Sequence, residues 1–135
     1  MKYRFVEMLN AFLSDVGRSD LLNPDLNCHS SIQLELADMP SINVDLQGDD
    51  ILLWSSIMDY DALRLEQASY PLLNVILEYQ HSNFPSGQPM IKIMDDKLVV
   101  SAVMTEEAMI NNHQFSDSLE EFFAYCTRVS DAFAT

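Results

Sequence analysis

Apolar side chains at Phe5, Leu9, Phe12, Leu13 and Val16 recur at the spacing of a helix that buries one stripe, and Gly17 follows where such a helix stops. The polar stretch 18–30 holds Asn23-Pro24-Asp25, a turn signal. The period then drops to two. Ile32, Leu34 and Leu36 alternate with Gln33 and Glu35, Met39-Pro40 ends that strand, and Ile42, Val44 and Leu46 alternate with Asn43 and Asp45. Gln47-Gly48-Asp49-Asp50 reads as a hairpin loop, and Ile51 to Ile57, with Trp54 in its middle, as a third strand. Three strands on short loops form an antiparallel meander.

Helical spacing returns at Leu65, Ala68, Leu72, Val75, Ile76 and Tyr79, with Asp59 or Asp61 as the cap. Pro71 lies inside this pattern; it removes a backbone donor and crowds the preceding turn, which predicts a kink or a break. Residues 81–88 read as a loop. Met90 to Met94 and Lys97 to Met104 read as a second hairpin turned at Asp95-Asp96, and Thr105 to Gln114 as irregular chain. A last helix starts near Ser116, or at Ser118, which has capping-box spacing to Glu121. Its stripe is Leu119, Phe122, Phe123, Cys126, Val129 and Phe133.

The order α-β-β-β-α-β-β-α has hairpins but no βαβ alternation, so the class is α+β, with helices packed on a twisted antiparallel sheet. At 135 residues the expectation is a single domain, 1–135, with one core. Charge sharpens the picture. Twenty-one acidic residues against seven basic ones give a net charge of −14, which repels phosphate backbones and anionic membranes and keeps a protein soluble while it shows some apolar surface. No stretch approaches the apolar length that spans a bilayer. Glu7, Asn10 and Asp15 interrupt the region after Met1-Lys2-Tyr3-Arg4, so the start reads as a mature cytosolic N-terminus and not as a signal peptide.

Catalytic and metal chemistry find no scaffold here. His29, His81 and His113 lie on separate loops without ligand spacing, and Cys28 and Cys126 are far apart and form no CxxC. Cys126 falls on an apolar helical stripe, where a small core residue belongs. Asp49-Asp50 and Asp95-Asp96 fall on turns and lack a calcium-loop pattern; Glu106-Glu107 and Glu120-Glu121 complete the acidic pairs. With three glycines there is no phosphate loop and no nucleophile elbow. The expectation is a protein without cofactor or metal that binds a chain and does not catalyse.

The binding argument rests on surplus apolar surface. Ile51-Leu52-Leu53-Trp54 and Leu98-Val99-Val100 are apolar on both faces, more than three helices readily cover. Eight methionines add adaptable surface. The stretches His29-Ser30-Ser31-Ile32-Gln33-Leu34, Met39-Pro40-Ser41-Ile42 and Leu52-Leu53-Trp54, with the element order, length and acidity, resemble class I type III secretion chaperones, and more narrowly the InvB/SpaK-like class IB group. That resemblance, from about Cys28 to the last helix, implies a bacterial cytoplasmic homodimer. It also implies binding of the extended N-terminal segments of one or more effectors, by strand addition and apolar grooves, with delivery to the export ATPase. It points to Phe5, Leu9, Leu34, Ile42, Val44 and Trp54 for the effector groove, and to Leu72, Val75, Ile76 and Tyr79 for the dimer contact. Alternation alone leaves each of these open as plain core. The competing reading is an acidic inhibitor or mimic that holds a folded basic partner through charge.

Overall fold

A computed structural model describes residues 2–18, 31–34, 41–46, 50–79 and 83–134. The turns expected at Asn23-Pro24-Asp25, Met39-Pro40 and 47–49, together with Cys28, His29, Leu36 and His81, lie outside the described residues. The order is α1 (Lys2–Asp15), β1 (Ser31–Leu34), β2 (Ile42–Asp45), β3 (Ile51–Asp59), α2 (Ala62–Glu78), β4 (Met90–Met94), β5 (Lys97–Met104) and α3 (Asn112–Ala134), with a short 3-10 helix, Glu106–Met109, before α3.

α1 ends as its sequence dictates. Gly17 takes φ 76°, and Arg18 N–H bonds to Leu13 O at 2.7 Å while Gly17 N–H bonds to Ser14 O at 3.1 Å, the paired bonds of a Schellman cap. The helix buries Phe5, Met8, Leu9, Phe12 and Leu13, each worth roughly 1.5–3 kcal/mol when withdrawn from water. Phe5 and Phe12 set their rings edge-on to Phe115 of α3, with centroids 5.5 and 6.5 Å apart. Arg4 fixes the other end, donating through Nε to Met109 O at 2.5 Å and through Nη2 to Ile110 O at 2.9 Å.

The five strands lie in the order β1-β2-β3-β5-β4, and each neighbouring pair runs antiparallel. Residues opposite one another share a face. Val44, Leu53 and Ala102 form one such row and Ile51 with Met104 another, all buried on the side where α1 and α3 gather. A bulge between Ser56 and Met58 shifts the end of β3. The β4–β5 turn holds Asp95 at φ 52° and Asp96 at φ 61°, the left-handed pair a two-residue hairpin needs and Asp tolerates.

Three expectations are corrected. α2 runs unbroken through Pro71. The carbonyl that loses its partner belongs to Gln67, an exposed residue, while Ala68, Leu72 and Val75 stay buried and hold the helix in place. The segment after β5 is not irregular throughout: Ala108 and Met109 are buried in the 3-10 turn. α3 starts four residues before Ser116, with Asn111 Oδ1 accepting from Gln114 N–H at 2.8 Å. Ser118 therefore lies mid-helix, donating to Gln114 O at 2.9 Å, and Glu121 has other partners. Asp61, the second of the two expected caps, accepts from the N–H groups of Leu63 and Arg64.

Candidate partner-binding site

α2 packs antiparallel on α3. Arg64 Nη2 donates to Phe133 O at 3.2 Å near one end, and Arg128 pairs with Glu78 at 3.2 Å near the other. Leu72 and Val75 face α3 at 8% exposure each, and Tyr79 sets its ring edge-on to Tyr125, centroids 4.9 Å apart. Of the four residues expected at a dimer contact, these three thus pack within the chain, and Ile76 stands outward at 45% exposure. The outward face is richer than the sequence reading allowed. Leu63, Tyr70, Leu73 and Leu77 are 61%, 74%, 50% and 68% exposed. Their spacings of seven, three and four are those of a helix seam facing a second helix. A second apolar set at 63, 70, 73 and 77 was the available signal; the stripe 65/68/72/75 concealed the one beside it.

The sheet is also two-sided. Asp45, Leu52 and Val103 form a row on the face away from the core, followed by Asn43, Trp54, Ser101 and Met90. Leu52, Trp54 and Val103 are half-buried and Met90 and Met94 exposed. Ser101 and Val99 are nearly sealed on this same face, Ser101 lying between the larger Trp54 of β3 and Met90 of β4. β4 closes one side of the sheet, with Met90, Ile93 and Met94 all exposed along its five residues.

Among the residues expected in an effector groove, Phe5 and Leu9 are at 0% exposure and Ile42 and Val44 at 1%, all inside the chain's own core. Leu34 pairs with Ile42 through the backbone, and its side chain lies outside the described part. Trp54 stands apart from Phe5, Leu9, Ile42 and Val44, on the opposite face of the sheet. The structure therefore does not bring the six together.

Glu121 organises the loop after α2. Its carboxylate accepts the Tyr79 hydroxyl, the Asn83 main-chain N–H at 3.1 Å and Asn83 Nδ2 at 3.2 Å. Phe84, 7% exposed, then packs edge-on to Phe122, centroids 6.3 Å apart. Cys126 is fully buried, and burial pushes its thiol up to about 12. A thiol held that far above neutrality is not a nucleophile. Among the described residues, no group of three His, Cys, Asp or Glu converges as metal ligands would, and no helix is long and apolar enough to cross a membrane.

The fold is similar to that in the heterodimeric complex ExoU-SpcU from the type III secretion system of Pseudomonas aeruginosa, with a TM-score of 0.60 and 17% identity over 92% of this chain and 96% of that one. It is also similar to YbjN from E. coli, with a TM-score of 0.57 and 18% identity over 96% and 91%. At these identities the likeness is one of fold alone. In sequence the chain is similar to the Surface presentation of antigens protein SpaK of Salmonella typhimurium, 26% identical over 119 residues that cover 88% of this chain and 87% of that protein. The SpaK protein of Salmonella typhi matches to the same extent. Because residues 17–95, well over half its length, match the Invasion protein B family, the chain belongs to that family, the InvB/SpaK-like group of type III secretion chaperones.

Proposed function

We propose that this chain is a cytoplasmic, homodimeric chaperone that binds the extended N-terminal segment of one or more secreted effectors, keeps it soluble and secretion-competent, and delivers it to the export ATPase. The observation that carries this reading is the apolar surface left outside a folded, strongly acidic chain: the Leu63–Leu77 stripe of α2 and the Leu52–Trp54 face of the sheet. Two stripes of α2 ask for two neighbours; α3 is one, and α2 of a second copy suits the other. The sheet face and the β4 edge then remain for an extended segment. Main-chain bonds along an edge are indifferent to partner sequence, so several effectors can share the site while side-chain pockets discriminate. SpcU is joined to ExoU in a heterodimeric complex of a type III secretion system, which agrees with effector partners for this fold.

The net charge of −14 favours effector segments with basic residues and raises their on-rates at low salt. The same charge supports the second reading, an acidic mimic of a folded basic partner. One capture experiment separates them. The tagged chain is exposed to the lysate of its source bacterium, and the bound protein is identified and truncated. A large partner that needs only its N-terminal segment, and stays bound at high salt, is expected. A folded, basic partner released by salt overturns the chaperone reading.

A further inference from the structure

Between the loop after α2 and the start of α3 lies an open depression of about 690 Å³. Phe84 and Pro85 give it an apolar wall from the loop, Ile110, 64% exposed, adds one from the segment before α3, and Asn83, Glu107 and Gln114 also line it. The wall is not a loose loop. Asn83 is held by the Glu121 carboxylate through both its main-chain N–H and its side-chain amide, and Phe84 is anchored on Phe122. The opposite side is fixed as well, since Arg4 bonds the carbonyls of Met109 and Ile110.

The shape favours a passing chain over a small molecule. Small-molecule sites enclose most of their ligand, whereas this depression is open and its volume fits a few residues of extended peptide. Among the described residues of the lining Glu107 is the one ionisable side chain, so nothing among them converges for catalysis and the charge that is present selects a cation. Asn83, Gln114 and Thr105 bring polar side chains to a passing main chain.

We propose that this depression seats one apolar side chain of an extended partner segment between Phe84, Pro85 and Ile110, with an adjacent lysine or arginine of that segment paired to Glu107; the inference rests on the chaperone reading. The site is separate from the α2 stripe and from the Trp54 face, so it supplies an additional, charge-selective anchor point along a wrapped segment.

The test titrates the isotope-labelled full chain with a short synthetic peptide of Ser, Asn and Gly around a central Leu-Arg pair, followed by NMR. Saturable shifts at Phe84 and across Thr105 to Gln114 are expected, abolished when the peptide's Leu becomes Ala. Glu107→Gln weakens binding by about two- to fivefold, the size of an exposed ion pair. Ile110→Ser weakens it independently of salt, and because both side chains are exposed the two variants keep the fold. The proposal is overturned by the absence of saturable shifts, by shifts confined to Leu73, Leu77 or Trp54, or by Glu107→Gln binding as tightly as the native chain. Shifts that grow with protein concentration alone also overturn it, since a second copy then fills the depression. If the chain captures an effector's N-terminal segment and the variant with both Glu107→Gln and Ile110→Ser captures it equally, this inference falls and the chaperone reading stands. If no extended segment is captured by any form, both fall.

Discussion

The phenol of Tyr79 donates to the carboxylate of Glu121, joining the end of α2 to the middle of α3. The same carboxylate takes both donors of Asn83, so one half-buried side chain fixes where the chain leaves α2. Glu121→Ala leaves those donors unpaired and is expected to destabilise the fold by about 1–3 kcal/mol. Glu121→Gln, which keeps an acceptor oxygen, loses less. Urea midpoints at constant m-value measure both, and equal midpoints for the native and Ala proteins refute the clasp.

Phe5 and Leu9 separate a core role from a binding role. With both at 0% exposure, Leu9→Ala is expected to cost about 2–5 kcal/mol and Phe5→Ala about 3–5 kcal/mol. Trp54→Ala on the half-exposed face costs less stability but weakens partner binding. Unfolding curves set beside partner capture decide the matter; Leu9→Ala with native stability and lost capture would return Leu9 to the groove.

Leu73→Asp and Leu77→Asp place charge on the outer stripe of α2. Neither side chain is buried in the single chain, so folding should change by only about 0.5 kcal/mol or less. The molar mass from light scattering should halve. A native mass in both variants rules out α2 as the dimer seam.

Cys126 links stability to pH on the alkaline side. Its folded pKa is raised by burial from 9.0 to about 12. Above the unfolded value the unfolded chain sheds the thiol proton while the folded chain keeps it, so folding weakens as pH rises. That contribution is fully present below pH 9.0 and is lost progressively as pH climbs through about 12. In a Cys28→Ser background, a thiol reagent at neutral pH should label Cys126 only at the rate of unfolding. Rapid labelling of the native protein contradicts its burial.

Alternation along Ile42–Leu46 made that strand and its faces readable, the continuous apolar run Ile51–Trp54 was readable as a strand but not by face, and the Asp95-Asp96 turn marked the second hairpin. The α2 residues were readable as helix but not in phase, because Leu72 and Leu73 are the same residue type and only α3 decides which is inside. Pro71 misled for a related reason: packing at Ala68, Leu72 and Val75 outweighs one lost backbone bond, and a sequence shows the loss but not the packing. The six expected groove residues do not form one surface, because Phe5, Leu9, Ile42 and Val44 fall in the chain's own core and Trp54 on the other face of the sheet; period-two and period-3.6 patterns mark a buried face without naming what buries it. The depression beside Phe84 was invisible, since its walls come from segments distant in sequence that are held by long-range contacts such as those of Glu121 and Arg4.

Pairing β3 with β5 has a consequence for synthesis. Ile51 waits for Met104, Arg4 waits for Met109, and the rings of α1 wait for Phe115. While the chain is still emerging from the ribosome, β3 has an unsatisfied edge until β5 pairs with it, and α1 an uncovered stripe until the last helix arrives. Such long-range closure slows folding. The nascent chain therefore carries, for that interval, the same exposed apolar segments that it is proposed to shield in its partners.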